Sequence, residues 1–327
     1  MLNMPLKVLS ISLFTAVLTA CSPGEDPVEW QNYATLGLYS AAISSDGRYA
    51  TIGAQEEGGS FWDTSTGERL YDWNHEKDSR SLIAKTAFSP EGSFAVTANQ
   101  QDLVLWHTNT GKPVWFWSSP GEILDIALTP RGQYALVGLA NHTAVFFDIM
   151  NGGVKRVLRH KGRVRAVALS KDGTIAITGA DDYTTNVWDI NSGKLLQQLT
   201  LENIIDTVAI SDDGTSVFSA SSLDRGIIWD PQTGEIKTYI SGDEALMQKR
   251  ISYLSARFSA DGSQLLTGNS SGIVELWDIE QGDLLKKWKA HKKDPYGPNS
   301  VSILDVGFAE PGTYIAIGSN GVMNIFQ

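Results

Sequence analysis

The stretch "RVRAVALSKDGTIAITGADDYTTNVWDINSGKLLQQLT", residues 163–200, decides how the rest of the chain is read. An alternating strand runs into a Lys-Asp-Gly turn, and a second apolar strand leads to a short polar turn. A third strand ends in Trp188-Asp189, a Ser-Gly turn follows, and a fourth strand closes the unit. The apolar residues alternate with period two and the turns carry Gly, Asp and Ser, so the unit predicts four short antiparallel strands and no helix.

The same grammar recurs along the chain. The third-strand aromatic falls at Trp62, Trp106, Phe147, Trp188, Trp229, Trp277 and Phe326, with spacings of 44, 41, 41, 41, 48 and 49. The first turn keeps step at Gly47, Gly92, Gly132, Gly173, Gly214, Gly262 and Gly312. A glycine also stands five residues after each of the first six aromatics, from Gly67 to Gly282. Three registers agree on seven units. Four strands per unit at a period near forty predict a seven-bladed β-propeller, all-β, with large aromatics filling the space between neighbouring sheets.

With "FWDTSTGE", "NVWDINSGK", "IIWDPQTGE" and "ELWDIEQGD", and with "SSDG", "SPEG", "SKDG", "SDDG" and "SADG" upstream, the chain resembles the WD40 family over nearly its whole length. Phe147 and Phe326 depart from the family's tryptophan, and His107 from its aspartate. The resemblance implies a buried hydrogen-bonded set of histidine, hydroxyl, aspartate and tryptophan. It is complete only in unit four, as His160, Thr178, Asp182 and Trp188. Elsewhere the turn position holds other residues, among them Glu56, Gln100 and Leu223, so most blades are expected to be held by apolar packing.

Unit seven ends at "VMNIFQ", its third strand, which would leave an edge of unpaired backbone groups. The segment "GEDPVEW", residues 24–30, places Trp six residues after Gly, as do "GERLYDW", "GKPVWFW" and "GDLLKKW". Residues 24–33 are therefore expected to close the last blade as its outer strand. Ahead of them lies an apolar run over residues 8–20, shorter than the roughly 20 residues a spanning helix needs. Residues 1–20 have the layout of a cleaved secretory signal. "LTAC", Leu18 to Cys21, resembles a bacterial lipobox, which implies acylation of Cys21, the only cysteine; the alternative is a plain signal peptide. Residues 21–23 would then form a short tether and residues 24–327 one propeller. Ser22 after the cysteine resembles the outer-membrane rather than the inner-membrane sorting pattern, which implies an outer-membrane lipoprotein facing the periplasm.

The formal net charge is −11, and a surface this acidic repels phosphate backbones, which excludes nucleic acid as the expected partner. With Cys21 acylated no disulfide could form, and the five histidines fall in separate units without metal-ligand spacing. Neither a phosphate loop nor a Gly-x-Ser-x-Gly elbow occurs. No catalytic residue, metal or cofactor is expected beyond a covalent lipid on Cys21. The aspartate pairs at residues 181–182 and 212–213 sit at repeat turns, where Asp caps local backbone.

Candidate contact residues lie on the top face, where each unit leads into the next. First strands begin with Lys85, Asp125, Arg165, Asp206 and Asp305, which propeller geometry would gather at the channel mouth. Either these charges pair with one another, or they contact a ligand or partner. Long connections add Arg250, Tyr253 and Tyr296. The expected function is a lipid-anchored, non-catalytic scaffold that binds one or more envelope proteins, with no small molecule expected. The alternative is a propeller enzyme or small-ligand binder working at the channel mouth. "NTGKPVW", residues 109–115, matches once the Thr-Gly-to-Trp pattern of quinoprotein propellers and of their lipoprotein relatives in outer-membrane assembly.

Overall fold

The computed structural model describes residues 24–76, 79–240, 252–294 and 301–327. Within them 28 strands form seven four-stranded antiparallel sheets, arranged as a β-propeller. Six blades use four consecutive strands each. The seventh pairs the N-terminal strand Glu29–Asn32 with the C-terminal strand Val322–Phe326, so the ring is closed by the two ends of the chain, as the unpaired third strand of unit seven predicted. The signal segment, Cys21 and the tether expected before Gly24 lie outside the described residues.

Burial follows the strand order. In blade four the second and third strands, Ile175–Ala180 and Thr184–Asp189, are almost wholly buried, whereas the fourth, Lys194–Thr200, alternates outward. The core therefore lies between blades. One cluster joins Leu103 and Leu105 of blade two to Ile126, Leu128 and Val137 of blade three. Aromatics at the end of the fourth strands seal these seams: Trp73 stacks on Trp106 at 5.4 Å, Trp117 on Phe147 at 3.9 Å, and Trp288 on Phe326 at 5.4 Å. Each such pair contributes about 0.5–1.5 kcal/mol beyond area burial.

The closing blade corrects one sequence alignment. Trp30 was matched to Trp73, Trp117 and Trp288, yet it points outward, 44% exposed, and stacks on His291 at 4.0 Å. Tyr33 takes the sealing position instead, buried and stacked at 4.4 Å on Trp62 of blade one. The six other fourth strands carry a register shift beside the aromatic; the closing strand pairs without one, placing Trp30 opposite Asn324. An odd slip moves a side chain to the other face of the sheet. The closing segment also covers a second edge. The Glu25 N–H donates to the Lys287 carbonyl at 2.9 Å, and the Lys289 N–H to the Glu25 carbonyl at 2.8 Å, which makes a parallel bridge on the outer strand of blade six.

The buried polar set of blade four forms as the family resemblance implies. His160 Nε2 lies 2.7 Å from Thr178 Oγ1, His160 Nδ1 lies 3.2 Å from Asp182, and the Trp188 indole donates to Thr178 Oγ1 at 2.8 Å. The expectation that apolar packing holds most other blades is incomplete. Trp106, Trp229 and Trp277 donate to Thr97, Ser219 and Thr267 of their second strands, and Trp62 to Ser60. Blade two also places His75 Nε2 3.0 Å from Thr97 Oγ1, so it carries three of the four members.

Candidate functional site: the channel mouth

The first strands line a central channel of about 1180 Å³. In six of the seven blades the first strand has a register shift at its start, and the extra residue there is Tyr39, Leu124, Arg165, Asp206, Leu254 or Leu304. A bulge re-aims a side chain that a regular strand would direct into the sheet packing. All six line the channel. The mouth is therefore built from four apolar and two charged side chains, and Leu254 and Tyr39 remain 37% and 48% exposed.

The five charges expected to form one ring occupy two levels. Arg165 and Asp206 stand on bulges, whereas Lys85, Asp125 and Asp305 sit one register deeper, opposite Ala98, Gly138 and Ile317. The deeper level stitches blade to blade. Asp125 accepts from the Val167 N–H at 2.8 Å, and Asp305 from the Ile43 N–H at 2.7 Å. At the same level Ser40 donates to the Ile83 carbonyl at 2.8 Å and Thr207 to the Tyr253 carbonyl at 2.7 Å. Burial pushes both carboxyls above the usual range; Lys85 opposes it at Asp125, and Arg257 at Asp305.

The upper charges are held locally. Arg165 and Arg163 both bind Asp181, the latter at 2.7 Å, and Asp206 accepts from Ser222. Burial is the largest single influence on the Asp181 carboxyl and raises it, but the hydrogen bonds and charges of Arg165 and Arg163 together hold it below its usual range. Among the described residues Lys85 has no ion pair within 4.0 Å, although its charge acts on Asp125. Its ammonium is the cation the mouth offers without a close anion.

Tyr253 does not belong to the surface: it is 4% exposed, packs edge-on against Phe218, and sits in the core of blades five and six. It begins a first strand, where the alternation turns it inward. Arg250 and Tyr296 lie outside the described residues. Trp115, the tryptophan of the single Thr-Gly-to-Trp match, stands on the outer strand of blade two, 39% exposed and far along the chain's fold from the channel lining.

Sequence reasoning missed Arg257. It projects from the first strand of blade six and donates to the carbonyls of Ile43 at 2.9 Å and Ser44 at 3.1 Å in blade one, while pairing with Asp305 of blade seven at 3.2 Å. The signal was in the aligned first strands. The other six blades place Ala42, Ala87, Ala127, Ala168, Ala209 and Gly307 at this register. One arginine in a column of small residues has room to cross the channel.

Among the described residues no group of three or more His, Cys, Asp or Glu side chains lies close enough together to hold a metal ion. What the mouth offers is an apolar rim, the half-buried Lys85 and locally satisfied ion pairs.

Comparison with known proteins agrees with the fold. The family model for the WD domain, G-beta repeat, matches residues 152–189. The β-propeller domain of Cps50 (Swd1) from Myceliophteria thermophila superposes with a TM-score of 0.74 at 15% identity, covering 91% of this chain and 99% of that one. No curated protein matches the chain in sequence. The chain thus carries a WD40 repeat within a β-propeller fold, and the fold by itself assigns no function.

Proposed function

We propose that this chain is a lipid-anchored, non-catalytic interaction scaffold, held by an acylated Cys21 at the periplasmic side of a bacterial outer membrane, with its channel mouth turned to envelope proteins. The observation that carries this reading is the position of Gly24, three residues after Cys21. A Cβ at Gly24 would lie 2.9 Å from the Trp288 backbone, on the outer strand of the preceding blade. Glycines of the third-to-fourth-strand turns also approach the outer strand of the preceding blade, though at its side chains, Gly282 against Thr238 and Gly111 against Tyr71. Gly24 therefore replaces the missing turn of blade seven, at the end of the ring opposite the channel mouth. A tether of two residues leaves little reach, so an anchor at Cys21 would set that end against the bilayer and present the mouth to the periplasm.

The test combines fractionation with capture. Cys21→Ser is expected to move the exported protein from the membrane to the soluble fraction; unchanged membrane attachment rejects the anchor. The intact lipoprotein, solubilised gently from envelopes, is expected to retain a specific protein that a folded Lys85→Glu/Arg165→Glu variant loses. Equal recovery by both forms would move the contact away from the mouth.

A further inference from the structure

Neighbouring blades share a contact that one seam lacks. The fourth-strand residue nine after each aromatic stands against the turn glycine of the next blade. A Cβ at Gly111 would meet Tyr71, at Gly193 Arg156, at Gly234 Gln197 and at Gly282 Thr238, each at 3.1 Å or less. Gly67 meets Gln31 of the closing segment at 2.1 Å. In blade three, by contrast, a Cβ at Gly152 or Gly153 would meet nothing within 4 Å. The residue due there is Trp115, and it is exposed. It shares its side of the strand with Trp117, which stacks on Phe147 of blade three, so the indole faces an open seam.

The turn across that seam is also unlike the others. Three residues after the aromatic, the turns carry Ser65, Asn109, Asn191, Gln232 and Glu280, but blade three carries Met150, 39% exposed. Val154, just past the two glycines, is exposed as well. Other outer strands also show apolar side chains, such as Leu195 and Leu285, but the turns leading into them are polar. Of the charges here, Lys112 and Lys155 are exposed. The turn's carboxylate, Asp148, is buried and held by Lys155 at 3.2 Å and the Asn151 N–H at 2.9 Å. In the flanking sheets Glu91 accepts from Ser89 at 3.0 Å and the Arg131 N–H at 2.8 Å, Asp72 pairs with Arg69 at 2.5 Å, and Asp189 accepts from the Ser192 N–H at 2.6 Å. Glu68 is exposed in the turn of blade one.

Both features lie at the end of the ring where third strands pass to fourth, the end that Gly24 occupies three residues after Cys21. Gly24 sits between blades six and seven, and the open seam lies between blades two and three, three seams away in one direction and four in the other. The two therefore stand across the ring from each other.

We propose that this open seam is a second membrane contact, with Trp115, Met150 and Val154 in the headgroup region of the bilayer and Lys112 and Lys155 at its phosphates. The proposal rests on the anchor reading and names the surface met by the far side of the ring. A tether at one point leaves the propeller free to tip about it; a contact across the ring fixes the tilt and holds the mouth away from the bilayer. Tryptophan suits such a place because its ring is apolar with one polar edge, and lysine because its stem lies along apolar surface while the ammonium stays in water.

The test uses the acylated full-length protein reconstituted into phosphatidylcholine vesicles. An environment-sensitive fluorophore is attached at Met150→Cys, at Gln232→Cys in the matching turn of blade five, or at Tyr39→Cys at the mouth; acylation of Cys21 leaves the introduced cysteine as the only thiol. A spin-labelled lipid is expected to quench position 150 at least threefold more than position 232, and position 39 not at all. Trp115→Thr, which places there the residue type of Thr238 in blade five, should bring position 150 down to the level of 232, and Trp115→Phe should keep most of the difference, both with the melting temperature within about 2 °C of the parent. Equal quenching at 150 and 232 overturns the proposal, and so does a difference that survives Trp115→Thr. Shielding of position 150 in native envelopes but not in protein-free vesicles overturns it too, and assigns the seam to a protein. Two labels per chain would mean that Cys21 carries no lipid, and the anchor reading fails. The same comparison on the Cys21→Ser chain at high vesicle concentration then decides the seam alone: stronger quenching at 150 keeps it, and equal quenching removes it.

Discussion

Two buried imidazoles, His75 and His160, give the fold a pH dependence that can be signed. Burial pushes both below the ordinary histidine value; at His160 the neighbouring Asp182 opposes this, and at His75 the Thr97 contact and Asp102 do. An imidazole whose folded pKa is depressed stays neutral in the fold while the unfolded chain takes up a proton, so stability falls as pH drops below about 6.5. Asp125 and Asp305 act in the opposite sense, since burial makes the folded carboxyls hold protons more readily than the unfolded ones. A comparison of variants cancels that term. His75→Gln/His160→Gln should be less stable than the natural chain at pH 7.5, and the gap in urea midpoint should narrow by pH 5.5. Parallel stability curves would mean the imidazoles titrate alike in both states. The family resemblance implied His160, Thr178, Asp182 and Trp188 because all four of its positions are filled in that unit. The partial set in blade two escaped because Gln100 breaks the turn pattern, while His75 and Thr97 meet only through the fold.

At the scale of the strand, a bulge inserts a residue without a sequence mark. Tyr39, Leu124, Arg165 and Asp206 share a position and no chemistry, so a list of charges near strand starts merges two levels of the channel. The outer strands reveal a different rule. Pro113–Ser118 of blade two is the only fourth strand among the described residues with no charged side chain, and it exposes Val114, Trp115 and Phe116 at 40%, 39% and 54%. The others carry at least one charge, such as Lys155 and Arg156 in Val154–Arg159 or Lys286 and Lys287 in Leu284–Lys289. Charge on an edge strand discourages pairing with another chain. Phe116→Lys is therefore expected to lower light scattering on prolonged heating below the unfolding transition, with the melting temperature changed by no more than about 1 °C, since a surface substitution costs within about 0.5 kcal/mol. Equal scattering by both forms would clear this strand as the aggregation edge.

The whole ring depends on one seam, where the chain's two ends meet, and two unrelated devices hold it. Residues 24–33 supply the fourth strand of blade seven, the stack of Tyr33 on Trp62, and the bridge from Glu25 to blade six. Arg257 spans the same seam from inside, tying blade six to Asp305 of blade seven and to the carbonyls of Ile43 and Ser44 in blade one. The outer device was legible because a third strand without a partner demands one; the inner device was not, because a cross-channel contact joins residues more than 200 positions apart. Deleting residues 24–30 should expose the edge of Val322–Phe326 and lower the urea midpoint. Arg257→Leu alone should cost about 2 kcal/mol, the scale of charge-assisted hydrogen bonds lost from a partly buried site. Either variant still leaves one device in place, so the combination should lose more than the sum of the two, by about 0.5–3 kcal/mol, as expected when two changes relax the same interface. An additive double variant would show that strand and arginine secure separate parts of the ring, and that opening the outer strand does not load the channel.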